Sequence, residues 1–179
     1  LYLAEAELVA AEYALLQGQS PEPALAEVER CLGLAQAIDP DSSHALQQRA
    51  DIALLRARAH IAAGRSPVEQ FRLAEADYAR AIETNPTDAW VLTRAAALHW
   101  YRATWAQAAG LPTADDLEAG LSLARRSRES NAHDAEALAI EGALLLLDPR
   151  AGAHHDGETA IRRAVEMNPM MQREYGALL

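Results

Sequence analysis

Apolar positions recur along the chain with helical spacing, and no stretch alternates with the period of two that a half-buried strand needs. Gly, Pro and short polar residues punctuate the apolar runs, and this punctuation returns every 46 residues. Gly18, Gly64 and Gly110 are in register, two of them within Gly18-Gln19-Ser20-Pro21 and Gly64-Arg65-Ser66-Pro67. Pro40 and Pro86 keep the same spacing, inside Ala35-Gln36-Ala37-Ile38-Asp39-Pro40 and Ala81-Ile82-Glu83-Thr84-Asn85-Pro86, while the third copy carries Ser127 and Ala132 there. Apolar positions keep step too: Leu46, Leu92 and Leu138; Ala50, Ala96 and Gly142; Leu8, Leu54, Trp100 and Leu146; Leu25, Phe71 and Leu117. A register held through three copies is the mark of a repeat array.

Each unit reads as two helices. The first begins at a polar N-cap, from Asp41-Ser42, Thr87-Asp88 or His133-Asp134, and stops at the Gly, where a left-handed residue is least costly. The second begins after Ser-Pro and ends before Asn-Pro or Asp-Pro, because the residue preceding Pro is pushed out of the α region. The spacing predicts helices over 2–17, 23–38, 43–63, 68–84, 88–109, 114–129, 134–147, 157–167 and 170–177, and no strand.

Half of the 179 residues are hydrophobic, Phe occurs once, and all 16 basic residues are Arg. Ala is close to a quarter of the chain, which favours helix, and small residues at Ala35, Ala50, Ala74, Ala81, Ala96, Gly120 and Gly142 allow close helix approach. A net charge of −10 with interspersed Arg leaves no basic stripe for a phosphate backbone, so nucleic acid is not an expected partner. The longest apolar run, Ala143 to Leu147, is far short of the ~20 residues a membrane helix needs. One cysteine, Cys31, forms no internal disulfide and reads as a packed small residue; a cytoplasmic protein is the expectation. The position matching Leu46 falls one residue before Leu1, which suggests a first helix without its beginning and a chain cut from a longer protein.

Ala74, Tyr78, Ala81 and Pro86, echoed by Val28, Leu32, Ala35 and Pro40, resemble the second-helix pattern of tetratricopeptide repeats. Leu46 with Ala50, and Leu138 with Gly142, resemble the large-then-small pair of that family's first helices. The units are enlarged from the usual ~34 residues, in the first helix and the Gly-x-Ser-Pro corner. The closing stretch Ala160-Ile161-Arg162-Arg163-Ala164-Val165-Glu166-Met167-Asn168-Pro169, with Met170-Met171-Gln172-Arg173-Glu174-Tyr175-Gly176, is similar to the end of helical-repeat extensions C-terminal to bacterial Ser/Thr protein kinases. The chain itself has no Gly-rich phosphate loop, no Lys and no His-Arg-Asp or Asp-Phe-Gly string. These resemblances imply an all-α, right-handed superhelical solenoid of antiparallel helix pairs. It forms a single domain over 1–179, with units 1–40, 41–86, 87–132 and 133–169 and a capping helix over 170–179.

The family's concave face is lined mainly by first helices. Counted along them, the expected partner-binding residues are His44, Gln47 and Asp51, then Trp90, Thr93, Arg94, Trp100 and Tyr101, then Glu136, with Leu55, Ala97, Ala139 and Ala143 beside them. Trp90 and Tyr101 are the expected anchors for a peptide; for Trp100 and Trp105 the alternative is packing between helices. Arg94 and His44 could complement an acidic or C-terminal group. The family's terminal-carboxylate clamp of Lys, Arg and Asn is absent and is not carried over.

The expected function is non-catalytic binding of a peptide or partner protein, with self-association left open and no cofactor or metal. An alternative is a regulatory or substrate-recruiting domain of an attached kinase. A remote one is a small enzyme with a site assembled from His44, Asp51, His99 and Glu136. His154-His155-Asp156-Gly157-Glu158 has metal-ligand residue types but no second cluster, and reads as a polar corner with Asp156 capping the next helix. Arg125-Arg126-Ser127-Arg128 and Arg162-Arg163 lie where cations meet the negative end of a helix dipole.

Overall fold

A computed structural model of the chain describes residues 2–39 and 42–179. Among the described residues it has nine α-helices and no strand: α1 (Tyr2–Leu16), α2 (Glu22–Gln36), α3 (Ser43–Ala62), α4 (Val68–Thr84), α5 (Ala89–Ala108), α6 (Ala114–Ser130), α7 (Ala135–Leu147), α8 (Ala153–Met167) and α9 (Met171–Tyr175). A 3₁₀ turn, Gly176–Leu178, follows α9. No helix is long and apolar enough to cross a membrane among these residues.

The 46-residue register has a direct structural cause. Gly18, Gly64 and Gly110 take φ of 70°, 66° and 70°, the left-handed region that favours glycine. Each closes the same Schellman motif. The glycine N–H bonds Leu15 O, Ile61 O or Gln107 O at 3.0–3.1 Å, and the next N–H bonds Ala14 O, His60 O or Ala106 O at 2.8 Å. Pro21 and Pro67 then stand as buried N-caps, their carbonyls accepting from Leu25 and Phe71 at 3.0 Å. Asp88 accepts from the N–H of Trp90 and Val91, and Asp134 from that of Ala137, so two of the three expected first-helix caps are in place. The third involves Asp41, which with Leu1 and Pro40 lies outside the described residues; Ser42 is the N-cap of α3 without a side-chain capping bond.

The second helices α4, α6 and α8 end at Asn85, Asn131 and Asn168, with φ of −139°, −143° and −144°, whereas α2 ends at Ala37 with φ −65°. Pro follows Asn85 and Asn168, but Ala132 follows Asn131, so proline is not what imposes the stop. Asn131 Oδ1 accepts from the His133 N–H at 3.2 Å and Asn168 Oδ1 from the Met170 N–H at 3.0 Å, a local turn that Asn supplies itself.

The start of α8 differs from the expectation. It begins at Ala153, four residues before the predicted 157, and Asp156 lies in its first turn rather than capping it. The cause is Gly152 at φ 87°, which ends the corner after α7 and accepts the Asp156 N–H at 3.1 Å. Gly157, read from sequence as part of a polar corner, is a buried helical residue. A Cβ there would lie 2.7 Å from Gly142 O, so α7 and α8 meet backbone against backbone. At the end of α7, the Asp148 carboxylate accepts from the Arg150 N–H and guanidinium, which hold it below the ordinary carboxylate range.

Two compact units result, Leu1–Pro86 and Thr87–Leu179. In the first, α1 packs on α2 and α3 on α4, and both helices of the first pair touch α3. Leu25, Val28, Ala4, Ala11, Ile52 and Leu55 share one core, and Leu46, Leu54, Phe71, Ala74, Tyr78 and Ala81 are fully enclosed. The second unit packs α5 on α6, α6 on α7 and α7 on α8, with α5 also against α7. Its core joins Leu117, Leu121, Leu138, Ile140, Leu144 and Ile161 to Trp100 and Tyr175. Short corners make consecutive helices antiparallel, and in both units they pack in chain order.

Polar contacts inside the units follow the same register. Ser43 Oγ donates to Ala81 O, and 46 residues on Ser127 Oγ donates to Ala89 O at 2.9 Å: the same α-helical contact with the donor on the opposite helix. Between α5 and α6, Asp116 accepts from His99 Nδ1 at 2.8 Å and Arg102 Nε at 2.7 Å. Burial by itself would push this carboxyl up, but the His99 and Arg102 hydrogen bonds and the Arg102 charge outweigh it, and its pKa is lowered. A depressed carboxylate stabilises the fold above its unfolded pKa, about 3.9, and that contribution is lost as pH falls through the folded value. Asp116→Asn is therefore expected to flatten the stability of the second unit below pH about 4, read from urea melts between pH 2 and 7; an unchanged acid limb would refute the linkage.

Candidate interaction surface

The expected binding residues of the first unit lie on α3 and are engaged within that unit. Asp51 is buried, accepting from Tyr78 OH at 2.5 Å and from Gln47 Nε2 at 2.6 Å, and Gln47 is buried beside it. His44 is partly exposed, 3.2 Å from Glu5 Oε1 on α1 and 3.0 Å from Gln48 Nε2. Leu55 sits in the core with α1 and α2.

In the second unit the expected residues divide by depth. Thr93 is fully buried, its hydroxyl 2.7 Å from Ser127 Oγ and donating to Asp134 Oδ2 at 2.8 Å, so it ties α5 to α6 and to the cap of α7. Ala97, Ala139 and Ala143 are core residues. Trp100 is buried, its ring centroid 4.6 Å from Tyr101 and 5.4 Å from Tyr175. Tyr101 is half-buried and its hydroxyl donates to Glu174 Oε1 at 2.6 Å. Arg94 on α5 reaches Glu136 on α7 at 3.6 Å.

Trp90 stands apart. It is 54% exposed at the head of α5, where the Asp88 cap fixes the first turn. Its ring borders a hollow of about 450 Å³ shared with His133, Asp134, Glu136, Met167, Asn168 and Met171. The structure thus brings Trp90 and Glu136 together there and Trp100 and Tyr101 together beneath Tyr175. The sequence reading did not include Met167, Met171, Glu174 or Tyr175. Their distance along the chain from α5 hid them, although Tyr175 is an isolated aromatic in a polar stretch, a signal that it packs on something.

The remaining constellations are resolved by local pairing. Arg125 and Arg128 both donate to the buried Glu141 carboxylate of α7, at 3.1 and 2.5 Å. His154 is in α8 and lies 3.4 Å from Glu158 one turn on. Among the described residues no three His, Cys, Asp or Glu side chains are grouped to hold a metal. Cys31 is half-buried against the first unit's core. Of the four residues named for an assembled enzyme site, Asp51 is bound to Tyr78 and Gln47, His99 to Asp116, His44 to Glu5, and Glu136 to Arg94.

The described residues form an all-α protein whose helices pack in chain order within each unit, with Trp90 exposed and Tyr101 half-buried on α5 of the second. No protein-family model matches the chain, and no curated protein matches it.

Proposed function

We propose that this chain is a non-catalytic protein-interaction module of tetratricopeptide-like type, binding a peptide or partner-protein segment on the first-helix face of its second unit. The observation that carries the reading is Trp90: a large side chain 54% exposed in the first turn of a capped helix, at a hollow also lined by Met167, Met171, Glu136 and His133. A rigid exposed aromatic offers contact area at small entropic cost, and such residues dominate binding hot spots. In this reading the repeats continue as a superhelix whose concave side carries the surface. The likeness of residues 160–176 to the end of kinase extensions supports a place in a cytoplasmic signalling protein, where the module recruits substrate or regulates an attached kinase.

A photo-crosslinking amino acid in place of Trp90, in the full-length parent protein, tests this. The expected result is a covalent adduct to one defined partner segment, which as a synthetic peptide binds the wild-type protein. Adducts absent at position 90, or scattered over unrelated proteins, would overturn the reading.

A further inference from the structure

Tyr175 is the one side chain of the segment 170–179 that is fully buried, with Met171 packed at the edge of the same core. Tyr175 is 1% exposed, whereas Met170, Gln172, Arg173, Glu174, Ala177, Leu178 and Leu179 are all exposed. Its helix, α9, has five residues, far fewer than a helix needs to persist without tertiary support. Asn168 is extended and Pro169 follows, so the segment leaves α8 through a non-helical joint.

The seat of Tyr175 belongs to first helices. Its ring packs on Trp100 at 5.4 Å and shares a core with Ala139 and Ala143 of α7, while Glu174 accepts the Tyr101 hydroxyl at 2.6 Å. Met171, at the start of the same segment, lines the hollow beside Trp90. An acidic side chain and the tyrosine after it therefore occupy the aromatic face of α5 in the manner of a bound peptide, with one buried anchor, one charge-assisted hydrogen bond and Met171 packed beside them. A segment with one fully buried side chain can open locally at less than the global unfolding free energy.

We infer that this seat is a subsite for a partner segment carrying an acidic residue followed by a tyrosine, and that residues 170–179 fill it as an exchangeable internal ligand. The inference rests on the reading of the second unit as a partner-binding surface and names the chemistry of the partner. Release of the segment would uncover Trp100 and Tyr101 and take Met171 from the wall of the Trp90 hollow. An internal occupant lowers apparent affinity for an external one by the fraction of molecules in which the seat is open.

The test uses the full chain carrying Tyr175→Ala and a fluorescent synthetic peptide of residues 170–179, read by anisotropy. The variant is expected to bind the peptide at least about tenfold more tightly than the wild type. A peptide with its tyrosine changed to alanine should bind neither protein, and adding Tyr101→Phe to the variant should weaken binding. In the wild type, amide hydrogens of 171–178 should exchange well ahead of those of α7. A folded Tyr175→Ala chain that gains no affinity overturns the inference. If that variant does not fold, exchange in the wild type decides: protection of 171–178 equal to α7 makes Tyr175 a fixed core residue. Wild-type dimers that vanish in Tyr175→Ala would show exchange between copies and overturn the assignment to a partner. None of these failures alters crosslinking at position 90, so the two readings fail separately.

Discussion

Replacing Gly157 with leucine is expected to abolish the folded second unit. A Cβ at Gly157 would stand 2.7 Å from Gly142 O and 3.1 Å from Leu146 N, and one at Gly142 would stand 2.7 Å from Gly157 O and from Ile161 Cγ1. On each side the near neighbours include a backbone carbonyl at 2.7 Å, which cannot rotate away, so any side chain must drive α7 and α8 apart. That separation opens the packing of Ile140 and Leu144 against Ile161 and Ala164, all fully buried. Overpacking a tight core costs about 1–3 kcal/mol for small additions, so Gly157→Ala belongs in that range and leucine above about 4 kcal/mol. Gly33, in α2, is the control: it is exposed, and a Cβ there would meet nothing within 4 Å. Gly33→Ala should stabilise its helix by about 1 kcal/mol. Denaturant melts followed by circular dichroism separate the cases, and a Gly157→Leu protein as stable as wild type would refute the backbone contact.

Asp51→Ala is expected to have the second largest effect, in the first unit. It leaves the Tyr78 hydroxyl and the Gln47 amide without their shared acceptor inside the core. A buried donor left unsatisfied costs about 1–3 kcal/mol, so the pair implies a loss of about 3 kcal/mol. Tyr78→Phe removes only one of the two orphaned donors and should cost less. In the double variant the two losses should be clearly less than additive, because both act through one hydrogen bond. Additive losses in denaturant melts would mean that Asp51 and Tyr78 act independently.

The local signals were the legible part of the fold. Glycine at a left-handed stop, proline at a helix entry and aspartate at a cap are decisions made within five residues, and eight of the nine helices among the described residues fall within about two residues of their expected ends. The miss at α8 has the same origin: two glycines, Gly152 and Gly157, compete for the role of helix start, and only the close approach of α7 shows that Gly157 belongs inside. The depth of the first-helix residues was less legible. Counting along the first helices puts Gln47, Asp51 and Thr93 on an open face; in the fold they are buried, with Tyr78 on α4, Ser127 on α6 and the α7 cap Asp134 as partners of Asp51 and Thr93. The Tyr101–Glu174 contact spans 73 residues and leaves no periodic trace. The exposure of Trp90 depends only on local geometry, since it stands in the first turn of a capped helix.

The central claim, that the first-helix face of the second unit binds a partner through Trp90, is tested most directly by titration calorimetry. Wild-type and Trp90→Ala protein would be titrated with the partner segment identified by crosslinking, with thermal melts of both proteins in parallel. The account predicts an affinity at least about tenfold weaker for Trp90→Ala, as expected for a hot-spot aromatic, at an unchanged melting temperature. Equal affinities, or a melting temperature that collapses with the ring removed, would contradict it.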